Sequence, residues 1–164
     1  MSAKPIRTAY TAHMKRGMPG SFSDSSGMLG SDGGLAAVPP RAMRRIYVSP
    51  GPTFDPEGRD ETHWRWEKPF VAAGFREGDI VQNTFMYHFS PAGLMFDEAL
   101  IRIGCTVIPA GVGNTEMQAQ VMRDLAVTGY VGTPSFLMTI LAKARDMGIV
   151  PGDGLRLQVA LVTA

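Results

Sequence analysis

The chain has 164 residues, 45% hydrophobic and 19% charged, with a net charge of +1. This composition suits one globular domain, which at this length buries roughly 70% of its unfolded surface. A single cysteine, Cys105, rules out an internal disulfide. No apolar run approaches the roughly 20 residues needed to span a bilayer, and there is no signal-peptide core.

The charge is uneven. Residues 1–45 carry seven Lys and Arg against Asp24 and Asp32, a balance of +5; residues 46–164 carry nine against thirteen, a balance of −4. Residues 1–32 are rich in Gly, Ser and Pro and lack helical or strand periodicity, so they read as a flexible basic arm. No aromatic–basic interleaving accompanies the charge, so a nucleic-acid partner is not expected. Residues 33–164 read as one partial α/β domain.

In that domain the first β-prone run is 45–49, Arg-Ile-Tyr-Val-Ser. Pro50-Gly51-Pro52 breaks it, and 53–58 reads as a loop. A helix is expected over 61–73, kinked at Pro69 and stopped by Gly74. Residues 80–85 read as a strand. Ser90-Pro91 announces a helix, with serine as cap and proline in the first turn. Its apolar face is Leu94, Met95, Ala99, Leu100 and Ile103, and Gly104 ends it.

The next expected strand is 105–108. Cys105 lies in this apolar run and reads as a buried structural thiol, which together with the absence of disulfides suggests the cytoplasm. Thr115 and Gln118 form a capping box for a helix whose core face is Met117, Val121 and Leu125. Residues 129–132 read as a short strand. Thr133-Pro134 starts a helix lined by Phe136, Leu137, Ile140, Leu141 and Ala144 and stopped by Gly148. The last strand is expected over 157–164. Strands alternating with helices predict an α/β fold with a mainly parallel sheet flanked by helices.

Three junctions carry candidate chemistry. Each lies where a strand hands over to a helix, the carboxyl edge at which open α/β sheets bind ligands. In the first, Tyr87, His88, Phe89, Ser90, Pro91, Ala92 and Gly93, the aromatic side chains either wall an apolar pocket or pack the core. His88 either donates to an acyl or phosphate oxygen or bonds backbone; spacing leaves both open. Gly111 and Gly113 of the second junction allow close backbone approach to a ligand, as ordinary turns also do. Thr133, Pro134 and Ser135 form the third, a sound helix start with or without a ligand. No second metal ligand stands near His88, so no metal site is expected there.

These junctions, in this order, resemble the phenylacetate–coenzyme A ligase branch of the adenylate-forming enzymes. The specific parts are Gly104-Cys105-Thr106-Val107-Ile108-Pro109, Thr115-Glu116 with a following glutamine, and Tyr130-Val131-Gly132-Thr133-Pro134-Ser135. The resemblance covers roughly residues 33–164 and implies part of the large amino-terminal domain of such an enzyme. It implies that residues 87–93 line the acyl pocket. It also implies that Ser49, Gly51 and Thr53 lie at the nucleotide loop, although Ser-Pro-Gly-Pro replaces the usual Ser/Thr/Gly-rich pattern. The implied reaction joins an aromatic or acyl carboxylate to coenzyme A through an acyl-adenylate, using ATP and Mg²⁺. The adenine-binding, ribose-binding and catalytic-lysine segments of relatives have no counterpart in this sequence, so the catalytic residues are unknown. The expectation is a fragment, inactive alone in ATP–pyrophosphate exchange; the alternative is a non-catalytic aryl- or acyl-binding or interaction module. Uncovered apolar surface and strand edges would favour homodimers or aggregation.

Overall fold

The structure, a computed structural model, describes residues 7–10, 39–49, 53–60, 62–150, 152 and 154–163; for residues 7–10, 49 and 53 it describes backbone alone. Seven strands are present among them: β1 (Arg7–Tyr10), β2 (Arg45–Ser49), β3 (Thr53–Glu57), β4 (Ile80–Asn83), β5 (Thr106–Pro109), β6 (Gly129–Gly132) and β7 (Val159–Val162). Four α-helices accompany them: α1 (Glu67–Ala73), α2 (Ala92–Ile103), α3 (Thr115–Asp124) and α4 (Pro134–Asp146).

Five strands form one sheet in the order β1-β7-β6-β4-β5. All four pairings are parallel, with Asn83 beside both Pro109 and Val131, and Gly132 beside Val162. The expected α/β class with a parallel sheet holds. The chain passes from β4 outward to β5, crosses back to β6, and goes on to β7. Right-handed crossovers in opposite directions put their helices on opposite faces. Accordingly α1 and α2 pack on one face with Val81, Val131, Val159 and Leu161. The other face packs α3 and α4 against Tyr130, Ala160 and Val162. Neighbouring residues of each strand thus serve opposite cores, as the two-residue period requires.

The α1/α2 core is aromatic. Trp66 meets Phe96 edge-on at 4.6 Å, and Phe70 meets Phe75 and Phe96 at 5.1 and 5.7 Å. Such pairs add about 0.5–1.5 kcal/mol each beyond area burial. The buried Cys105 sits at the edge of this core, as expected, its thiol 3.3 Å from the Arg76 carbonyl.

Several local expectations are corrected. Arg7–Tyr10 pairs with β7 instead of belonging to an arm; its Thr-Ala-Tyr stretch is compatible with extended backbone, and β7 offers a free edge. The other residues of 1–32 lie outside the described set. The 53–58 loop is instead β3, antiparallel to β2. Pro56 is tolerated because a two-stranded ribbon leaves one side of each strand unpaired. Helix α1 starts only at Glu67, so Pro69 falls in its first turn, where a missing N–H breaks nothing, and there is no interior kink. Gly74, Gly104 and Gly148 do stop or follow helices at positive φ.

The capping box at Thr115 is absent. Asn114 occupies the cap position in left-handed backbone, and no side chain caps α3. Its expected core face is also rotated. Met117 and Leu125 are exposed, and the buried residues are Gln118, Ala119 and Met122. The polar side chain of Gln118 is turned inward because it has buried partners, described below. In contrast, Thr133 caps α4 as expected, accepting from the Phe136 N–H, with Pro134 in the first turn.

Candidate active site

The sheet order places a topological switch between β4 and β6, whose connections depart in opposite directions. All three junctions identified from sequence lie along this carboxyl edge. The first follows β4, the second follows β5 on one side, and the third follows β6 on the other. With strands about 5 Å apart, the three starting points fall within about 10 Å.

The first junction leaves the sheet at Thr84 and returns as α2. Gly93 makes the return possible: its N–H donates to the Met86 carbonyl, and a Cβ there would lie 2.5 Å from that oxygen. Tyr87 is half-buried and donates its hydroxyl to Asp97 of α2 at 2.9 Å. Burial and the neighbouring Asp97 charge push the phenol well above its ordinary pKa, and burial raises that of Asp97 too. Tyr87 is therefore a held, neutral phenol.

His88 is exposed. Phe89 is 77% exposed and has φ of +58°, an uncommon conformation for a bulky residue. Its carbonyl accepts from the Val48 N–H at 2.9 Å, which fastens the β2–β3 hairpin to this junction. The Ser90 N–H turns back onto the His88 carbonyl, and its hydroxyl lies 3.4 Å from the Ala92 N–H. The expected serine cap is nevertheless displaced, because Pro91 holds the cap position of α2.

The hairpin is pinned from below. Glu57, fully buried, accepts from Tyr47 and pairs with Arg44 and Arg45, while Glu98 of α2 accepts from both arginines. Burial would lower the Arg45 pKa, but these carboxylates raise it instead. Ser49 and Thr53 are paired across the hairpin end, which brings the strand leading toward the expected nucleotide loop beside Phe89. Gly51 lies outside the described residues.

In the second junction Gly111 and Gly113 both have positive φ, and the uncapped amino end of α3 follows. Unpaired N–H groups there favour an anion. In the third, the Ser135 hydroxyl is exposed, 3.3 Å from that of Thr133. Between the first and third junctions the sheet surface is closed by a hydrogen-bonded knot. Thr84 Oγ1 donates to the Tyr130 hydroxyl at 2.9 Å, and Tyr130 in turn donates to the Thr133 carbonyl at 3.1 Å.

Sequence reasoning missed Gln82, Asn83, Thr84, Tyr130 and Asp97 as parts of this edge. A signal existed: a strand covered on both faces should be almost wholly apolar, yet β4 ends in Gln-Asn followed by Thr. Among the described residues no group of three His, Cys, Asp or Glu side chains gathers to hold a metal ion. No helix among them is long and apolar enough to cross a membrane.

Comparison with known proteins bears on what this edge is for. No family model matches the chain. The fold is that of part of the large amino-terminal domain of adenylate-forming ligases. A 2-hydroxyisobutyryl-CoA ligase solved with 2-HIB-AMP superposes with TM-score 0.67 at 22% identity, over 81% of this chain and 30% of the other. An open conformation with 2-HIB-AMP and CoA gives 0.63 at 22%, over 76% and 28%. The sequence narrows the class. A phenylacetate-coenzyme A ligase of Pseudomonas putida is 33% identical over 138 residues, 80% of this chain and 31% of the relative. One from Aromatoleum evansii is 32% identical over 125 residues, 72% and 28%. The resemblance to the phenylacetate–coenzyme A ligase branch therefore holds over the matched residues. The chain spans about 30% of the length of these curated relatives.

Proposed function

We propose that this chain forms the acid-binding side of an adenylate-forming ligase that joins an aryl or acyl carboxylate to coenzyme A. One observation carries the reading: an exposed aromatic, Phe89, is held in left-handed backbone at the switch point, beside an exposed histidine. Strained backbone at a ligand-binding edge is retained where the geometry is used. Phe89 supplies an apolar wall for the acid's body. His88 lies within reach of a carboxylate oxygen as a hydrogen-bond donor. The held phenol of Tyr87 keeps the loop that carries both in place.

In the proposed reaction a carboxylate oxygen attacks the α-phosphorus of ATP and the bond to pyrophosphate breaks. The thiol of coenzyme A gives its proton to water, its sulfur attacks the acyl carbon, and AMP leaves with the electrons of the broken C–O bond. The difficulty in the first step is bringing two anions together, which oriented backbone N–H groups ease. ATP is assigned to the segment between Ser49 and Thr53 by family likeness. The described residues provide no carboxylate cluster for Mg²⁺, which such chemistry usually brings in with the phosphates. ATP and coenzyme A as co-substrates favour a cytoplasmic setting.

A thermal-shift titration tests the acid assignment. Phenylacetate and benzoate are expected to raise the melting temperature without nucleotide, and phenylacetamide, which lacks the charge, is not. Replacement His88→Ala should abolish the difference between acid and amide. Equal shifts by acid and amide, or none by either, would overturn the assignment.

A further inference from the structure

Strand β4 is covered on both faces, yet its last two residues are amides and both are completely buried. Adjacent strand residues point to opposite faces, so the two serve different layers. On the α2 side, Asn83 Oδ1 accepts from the Phe85 N–H at 3.2 Å and Asn83 Nδ2 donates to the Gly93 carbonyl at 2.9 Å. These are the two ends of the first junction. On the α3 side, Gln82 Nε2 donates to Gln118 Oε1 at 2.8 Å. Gln118 Nε2 then donates to the carbonyls of Gly111 and Gly113 at 2.9 and 2.8 Å. The main chain completes the arrangement: the Asn83 carbonyl accepts from the N–H groups of both Ala110 and Gly111.

Two features show that packing alone does not account for these amides. Gln82 Oε1 is buried with no hydrogen-bond partner among the described residues. Such an orphan is costly, and an apolar side chain of similar shape would avoid it. Helix α3 also turns Gln118 inward while leaving Met117 62% exposed. The first leaves a hydrogen bond unmade and the second gives up apolar burial, and a purely structural sequence would avoid both.

We propose that Asn83 and the Gln82–Gln118 relay are positioning residues that join the acid-facing loop, residues 84–93, and the glycine loop, residues 110–114, into one body. They touch no reacting atom and act through backbone carbonyls. What the joined loops recognise rests on the acid-site reading above; the mechanical coupling does not.

Amide hydrogen exchange on the full chain, with urea unfolding in parallel, separates the two. Gln118→Glu keeps the shape but, ionised or protonated, carries at most one of the two protons that Gln118 donates to the Gly111 and Gly113 carbonyls. Exchange is expected to quicken at least about tenfold in both 85–93 and 110–114, beyond any change in α4 and β7. Asn83→Leu, which loses both the donor to Gly93 and the acceptor from Phe85, should give the reciprocal pattern. Gln82→Met is the milder variant if Gln118→Glu fails to fold. It moves the orphan from Gln82 Oε1 to Gln118 Oε1, so global stability should change little while both loops loosen. Acceleration confined to the altered residue's own loop, or uniform across the chain, overturns the coupling. For recognition, Gln82→Met should weaken phenylacetate binding at least about fivefold at unchanged urea midpoint. Unchanged affinity overturns the positioning role in acid binding. Failure of the unaltered chain to bind phenylacetate overturns the acid-site reading alone, because the exchange pattern still decides the coupling.

Discussion

Gly132 ends β6 at the switch, and Gly132→Ala tests whether the knot beneath it is as rigid as its hydrogen bonds imply. A Cβ at Gly132 would lie 2.7 Å from Tyr130 Cζ and closer still to Thr84 Oγ1 and the Tyr130 hydroxyl. Neither neighbour can step aside cheaply. Both are buried, and they are bonded to each other and to the Val131 and Thr133 carbonyls. Overpacking a tight core costs about 1–3 kcal/mol. Two hydroxyl protons serve these three contacts, and depriving both of their acceptors adds about 1 kcal/mol each. The total is about 3–5 kcal/mol, a large share of the 5–15 kcal/mol typical of a domain. With a urea slope of about 2 kcal/mol per molar, the unfolding midpoint should fall by about 2 M. On a Thr84→Ala background the methyl meets one obstacle fewer, so the same substitution should cost at least about 1 kcal/mol less. A midpoint shift below about 0.3 M for Gly132→Ala would refute the rigid knot.

The half-buried Asp97 gives a pH test. Its folded pKa is raised, chiefly by burial, so the protonated form is favoured on folding and ionisation costs stability as pH rises through that pKa. Asp97→Asn should therefore be more stable than the unaltered chain at pH 7, the gain vanishing below about pH 4; a gain independent of pH would contradict this. Phe89→Asn should raise stability by about 0.5–1 kcal/mol, because asparagine tolerates left-handed backbone and little of the exposed ring is buried. It should also weaken acid binding; a loss of stability in urea would show that the ring is a packing element. Cys105, its thiol pushed up to about 11 by burial and by the charge of Asp79, should resist a thiol reagent at pH 8 until the chain unfolds; rapid labelling of the folded chain would contradict the burial.

The elements with strong local chemistry were legible in the sequence. Thr133-Pro134 starts a helix by its own cap and fixed dihedral, and Gly74 and Gly104 stop helices by adopting positive φ. Parallel order followed from strands alternating with helices. What failed depended on contacts distant in sequence. Met117, Val121 and Leu125 have the spacing of a core face, but Gln118 reaches Gln82, 36 residues away, and rotates α3 toward it. Residues 53–58 read as a loop because they follow the Pro50-Gly51-Pro52 break, yet Thr53–Glu57 is a strand because β2 pairs with it. The rim junctions were identified from their glycines, prolines and aromatics. The buried polar residues that hold them, Asn83 and Thr84 above all, were passed over because they sit at the end of an apolar strand.

The central claim is that the carboxyl edge of this sheet is an acid-binding surface. Titrating the isotope-labelled chain with phenylacetate while following backbone amide resonances tests it most directly. The largest shifts should fall in residues 86–93, 110–115 and 132–136. Shifts concentrated at the opposite ends of the strands, around residues 76–79, 104–105 and 126–128, or no shifts at saturating acid, would contradict it.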